Sequence, residues 1–126
     1  MSNYAIKNLM EIEPGGVEGF EIRFARQHLE SEQLGITLEH LAPGFTATTG
    51  HSHREQEEAY VVIEGSGAVK LDDERIELKK WDVVRVAPEV VRGFDAGPEG
   101  LVLLAVGGPK PEGGDGEMVK DRWPAA

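Results

Sequence analysis

His51 and His53 stand two residues apart in a chain that has four histidines. On an extended backbone that spacing places both imidazoles on one face. Two imidazoles on one face can converge on a single metal ion. Glu57 and Glu58 follow at the start of an apolar segment, and a carboxylate there adds an oxygen ligand. Neighbouring residues of a strand point to opposite faces, so one of the pair serves and the other does not. Two histidines and one carboxylate form the donor set of non-haem iron sites with open positions. Taken alone, His-x-His describes equally well two histidines on a polar surface loop.

Other polar residues have plainer roles open to them. His40 lies on a segment, residues 34–41, whose Leu34, Ile36 and Leu38 recur at period two. On that face it is a hydrogen-bonded core histidine or, if the face lines the interior, a further ligand or an acid–base group. Tyr60 is either a strand packing residue or a hydrogen-bond donor to a bound molecule. Arg23, Arg26 and Arg85 suit ion pairs in an acidic chain. Neither a Ser-His-Asp pattern nor a phosphate-binding glycine loop is present.

The elements that must hold these residues are short strands. The 16 glycines and 7 prolines fall between short apolar runs rather than inside them. Strands are predicted over residues 20–25, 34–41, 59–64, 81–86 and 101–106, with a turn or a short helical turn over 27–33. Val69 and Leu71 answer Ile76 and Leu78 across Asp72-Asp73-Glu74 as a hairpin. Gly65-Ser66-Gly67 and Gly97-Pro98-Glu99-Gly100 read as turns. The continuous apolar run 101–106 reads as a strand buried on both faces. Turn signals recur about every 8–12 residues, the spacing of an all-β sandwich or barrel.

Length and composition narrow the function classes. A chain of 126 residues suits one domain. The absence of cysteine excludes disulfides, thiolate chemistry and iron–sulfur ligation, and fits a reducing compartment. A balance of 13 basic against 23 acidic residues, net −10, speaks against nucleic acid and against polybasic membrane contact. Residues 1–11 lack the pattern of a secretion signal, and no apolar run approaches bilayer length. A cytoplasmic location is the resulting expectation. Residues 107–116 are rich in glycine and proline and read as flexible. Trp123, in a polar tail, is expected to dock on a folded surface.

The segment from Gly44 through His51-Ser52-His53, Glu58 and Gly65 resembles the first signature motif of the cupin superfamily. The strand from Ala59 to Gly65 is part of that likeness, and its spacing to Gly65 selects Glu58 over Glu57. Trp81-Asp82-Val83-Val84-Arg85-Val86-Ala87-Pro88 resembles part of the second motif, with Trp81 in place of the usual glycine. The resemblance covers residues 34–107. It implies an all-β fold, a single antiparallel cupin barrel (double-stranded β-helix or jelly roll) over residues 1–107, followed by the flexible segment and tail over 108–126. It implies that His51, His53 and Glu58 point inward with Tyr60 and Val62 beside them, and that the protein is a homodimer.

Arg92 stands where the second motif supplies a further histidine, and three readings follow. Turned outward, it leaves a three-ligand site for iron, manganese, nickel or zinc. Turned inward, it replaces the metal and pairs with Glu58 or with an anionic ligand. In the third reading the site is degenerate and the barrel is a structural or binding module. The expected function is binding of a small polar or anionic molecule in the barrel, through a divalent metal at His51, His53 and Glu58, with Arg92, Tyr60 and His40 as ligand contacts. Oxygenase- or isomerase-like chemistry is the class this implies. The alternative is a metal-free, non-catalytic ligand-binding or sensory cupin anchored by Arg92.

Overall fold

A computed structural model describes residues 3–125. The outermost ends of the two expected segments, residues 1–2 and 126, lie outside it. The strands are β1 (Gly15–Val17), β2 (Phe20–Phe24), β3 (Gly35–Leu41), β4 (Gly50–His53), β5 (Glu58–Leu71), β6 (Glu74–Lys79), β7 (Val83–Val86), β8 (Arg92–Gly107) and β9 (Gly116–Val119). A short α-helix, α1 (Arg26–Leu29), occupies the start of the predicted turn, and a single 3-10 turn lies at Leu9–Glu11. All pairings are antiparallel, and the nine strands form one hydrogen-bonded sheet that curls on itself. Among the described residues, no helix is long and apolar enough to cross a membrane.

β8 is the axis of the sheet. Its C-terminal half lies between β3 and the first half of β5, and its N-terminal half pairs with the second half of β5. Inside the curl, Leu41, Tyr60, Val62, Val69, Val86, Phe94, Leu101, Leu103 and Ala105 form one buried cluster. The Tyr60 and Phe94 rings lie 4.8 Å apart, within the range for favourable aromatic pairing.

Three expected features change. Gly97-Pro98-Glu99-Gly100 does not end a strand; β8 runs through it. Gly65-Ser66-Gly67 does not turn the chain; β5 runs through it, with register shifts at this point. Gly65 takes φ +76°, and a Cβ there would lie 2.1 Å from the Gly100 carbonyl oxygen. The glycine permits close approach of two backbones, which composition alone cannot distinguish from a turn. The run 101–106 is not buried on both faces: Leu101, Leu103 and Ala105 are buried, whereas Val102, Leu104 and Val106 are half-buried. An antiparallel sheet covers one face with the core and leaves the other uncovered. The departure at Trp81 also has a visible cause. Its φ is +77°, a backbone setting natural to glycine, and the indole stays largely exposed.

Beyond Gly107 the chain returns to the sheet. β9 pairs with β4 from Gly50↔Val119 to His53↔Gly116. The Trp123 indole donates to the Asp72 carbonyl at 2.9 Å and covers Gly50 and Gly93, where any Cβ would meet the ring within 2.7 Å. The expected docking of Trp123 is present.

Gly65→Ala combines a left-handed backbone with a backbone clash. It should lower unfolding stability by about 2–4 kcal/mol, measured by urea denaturation. A loss within about 0.5 kcal/mol would mean that β5 and β8 do not meet this closely.

Candidate metal centre

β4 places His51 and His53 on one face, and Glu58 opens β5 opposite them. The three ligand atoms lie within 4.8 Å of one another. His51 Nε2 is 3.4 Å from Glu58 Oε1, and His53 Nε2 is 3.3 Å from the same oxygen. Donor atoms about 2.1 Å from a shared tetrahedral ion would sit roughly 3.4 Å apart, so these separations suit a ligand set. The side chains are 34%, 11% and 15% exposed in the order His51, His53, Glu58, which puts His51 on the solvent side.

His53 carries the clearest sign. Its Nδ1 is 2.9 Å from Asp115 Oδ1. Its Nε2 is buried and has no hydrogen-bond partner among the described residues. An ionised carboxylate only accepts, so the Nδ1 proton is donated to Asp115. In neutral imidazole that leaves a lone pair on Nε2, the arrangement of a metal-ligating histidine held from behind by a carboxylate. Burial opposes the charge on Asp115, but hydrogen bonds from the Glu55 amide, His53 and the Gln56 amide hold its carboxyl at about 2.

Glu58 is the hub. Its Oε1 accepts from the Tyr60 hydroxyl at 2.5 Å. Burial would raise its carboxyl, yet the adjacent His51 and His53 imidazoles and the Tyr60 hydrogen bond hold it well below the usual range. The same contact with Glu58 raises His53; burial works against this and Asp115 adds to it. Burial, then the charges of Glu58 and Glu39, push the Tyr60 phenol well up.

Arg92 turns inward and is fully buried. It sits across from His51 in the β4–β8 pairing. Its fork donates to backbone carbonyls, Nη1 to His51 at 3.4 Å and Pro88 at 3.5 Å and Nη2 to Ala87 at 3.1 Å. Only Nε faces the site. It is 3.8 Å from Glu58 Oε1 and lacks a hydrogen-bond partner among the described residues. The outward position considered from sequence is therefore not the one adopted.

His40 does not join this group. It is exposed and pairs in register with Glu21 and Val102, on the outer face with Ile36 and Leu38. The inward positions of β3 are Glu39 and Leu41, both buried. Glu39 was missed because the more apolar alternation on β3 marks the outer face. Burial, then the nearby Glu58 charge, raises its carboxyl to about 8, so it is neutral at pH 7.

A matching cupin domain model spans residues 37–107, more than half of the chain, and the chain belongs to that family. The uncharacterised protein MJ1618 of Methanocaldococcus jannaschii is 37% identical over 51 residues, which span 40% of this chain and 41% of that protein. The match thus reaches under half of the relative's length. A cupin protein from Bacteroides fragilis aligns with a TM-score of 0.72 at 24% identity, over 88% of each chain. Streptomyces PAC13, solved as a variant with uridine, aligns with a TM-score of 0.77 at 16% identity, over 96% of this chain and 93% of that one. These likenesses establish the cupin fold expected from the sequence.

Glu39 gives a signed pH dependence. The folded metal-free protein holds a proton at Glu39 that the unfolded chain releases near 4.5. Stability from this group is full below that pH and is lost as pH rises through about 8, by at most about 5 kcal/mol. The raised His53 acts in the same direction and is common to wild type and Glu39→Gln. The stability advantage of Glu39→Gln should therefore grow between pH 5 and 8, measured by urea unfolding of both metal-free proteins. A constant difference across that range would contradict the buried neutral carboxyl.

Proposed function

We propose that His51, His53 and Glu58 hold one divalent metal ion, and that the chain uses this centre to bind a small polar or anionic molecule in the barrel. The observation that carries the reading is His53, with Nδ1 tied to Asp115 and Nε2 buried, unpartnered and facing Glu58. Three protein ligands leave coordination positions open, the condition of a catalytic rather than a purely structural site. Iron, manganese, nickel and zinc all suit this donor set. When bound, the ion would supply a Lewis acid or an oxygen-activating centre, and oxygenase- or isomerase-like chemistry is the proposed class.

The chain's own residues have distinct parts. Tyr60 holds Glu58 by its hydroxyl and keeps the carboxylate aimed. Arg92 sits beside Glu58 with its fork taken up by carbonyls, so it balances the charge of Glu58 without adding a ligand. Uridine in PAC13 supports a barrel of this fold admitting a small polar ligand.

A second reading draws on Arg92 Nε. With no metal, Arg92 Nε and His53 Nε2 are both buried without hydrogen-bond partners among the described residues, and with His53 in its protonated form both would donate to an anionic ligand. Protein purified without added metal should carry close to one equivalent by elemental analysis, and His53→Ala should lose most of it. Substoichiometric metal in the wild type, unchanged by His53→Ala, would sink the metal reading. Thermal stabilisation of metal-free protein by small carboxylic acids, abolished in Arg92→Gln, would favour the second.

A second copy of this chain is the proposed occupant of the outer sheet face. Ile36, Leu38, Val61, Val83, Leu104 and Val106 share that face by register. Glu57 and Arg85 on the same face form an ion pair at 3.0 Å. A surface carrying apolar residues with both signs of charge is self-complementary under a two-fold axis. Light scattering should give twice the 13.7-kDa chain mass, and Leu38→Lys should shift the protein to monomer. A monomeric wild type at high micromolar concentration would exclude this interface.

A further inference from the structure

We infer that Asp115 is a positioning residue for the metal centre: reaching in from beyond the barrel motifs, it fixes the orientation and tautomer of His53 and so sets metal affinity. The inference rests on the metal reading above and adds a determinant outside the ligand set.

Asp115 receives hydrogen bonds from four consecutive residues. Its side chain accepts from His53 Nδ1 at 2.9 Å, from the Glu55 amide at 2.7 Å and from the Gln56 amide at 2.8 Å. Its backbone carbonyl accepts from the Arg54 amide at 3.3 Å. These residues connect His53 on β4 to Glu58 on β5. One aspartate thus shapes the turn that sets two of the three candidate ligands relative to each other, while holding one of them directly. It is 3% exposed, so water does not compete freely for these bonds.

The surroundings of Asp115 tie it to β4. Gly116, the next residue, begins β9 and pairs with His53, and Met118 pairs with His51. Further on, Trp123 covers Gly50 and Gly93, the neighbours of His51 and Arg92. The C-terminal segment therefore fastens at both ends of β4. A histidine needs its ring fixed and its distal nitrogen free of a proton before it ligates. No other described residue hydrogen-bonds to His53 Nδ1.

The test uses the full chain with Co²⁺ as the probe, comparing wild type with Asp115→Asn and Asp115→Ala. Wild type should bind one Co²⁺, and both variants should bind about 10–100-fold more weakly. Nitrogen-15 NMR of metal-free protein at pH 9 supplies a signature that mere destabilisation does not move. Wild-type His53 should carry its proton on Nδ1, and Asp115→Ala should shift population to the Nε2–H form. If Asp115→Ala does not fold, Asp115→Asn decides, since it keeps the shape and loses the ionised acceptor. Wild type that takes up no Co²⁺ overturns the metal reading and this inference with it. Wild type that binds while Asp115→Asn binds within threefold, or weakened binding with an unchanged His53 tautomer, overturns the inference alone.

Discussion

An ionised carboxylate held at the wall of a barrel must be surrounded by groups that compensate its lost hydration. Glu58 is that group here, and the inner face of the molecule is arranged around it. Tyr60 donates to it, His51 and His53 approach the same oxygen, and Arg92 stands 3.8 Å behind. Glu39, buried and close to the Glu58 charge, has its carboxyl raised to about 8 and keeps its proton at neutral pH. The two acids share one interior and take opposite states because only one has donors. This divergence between neighbouring carboxyls is a frequent mark of a functional site.

Arg92 illustrates how a single replacement redistributes charge without emptying a site. A guanidinium beside a dication would be repelled if it were free to turn toward it. Three backbone carbonyls occupy its fork and hold the planar group in place. The positive charge is thereby committed to backbone and to Glu58. The cost is one ligand position. A site with three protein donors binds an ion less tightly than one with four, and it leaves more room for an exogenous ligand.

The sequence revealed the local parts of this arrangement and hid the distant ones. The shared face of His51 and His53 was legible because strand alternation and a two-residue spacing fix it, and Glu58 was singled out from Glu57 by its spacing to Gly65 in the motif resemblance. The strands β2, β3 and β7 and the β5–β6 hairpin followed from the same periodicity. The face of β3 did not: Ile36 and Leu38 outweigh Thr37 and Glu39 in hydropathy, so the more apolar side is the one turned away from the core, and His40 goes with it. Gly65 and Gly67 looked like turn residues because a glycine that relieves a close backbone approach has no composition of its own. Asp115 was illegible for another reason: it meets His53 across 62 residues, a separation over which no sequence periodicity acts.

The C-terminal segment links these points. Residues 107–116 are rich in glycine and proline, and such segments have a large conformational entropy to lose on ordering. Here the loss is offset by Asp115's bonds to residues 53–56, by the β9 pairing and by Trp123 on Gly50 and Gly93. All of these contacts fall on or beside β4, a strand of four residues whose pairing with β8 is confined to His51↔Arg92. So short a strand has little hold of its own on the sheet. The rigidity that the proposed pair of histidine ligands would require is therefore contributed from outside the barrel motifs. An element that follows those motifs in sequence completes the centre they begin.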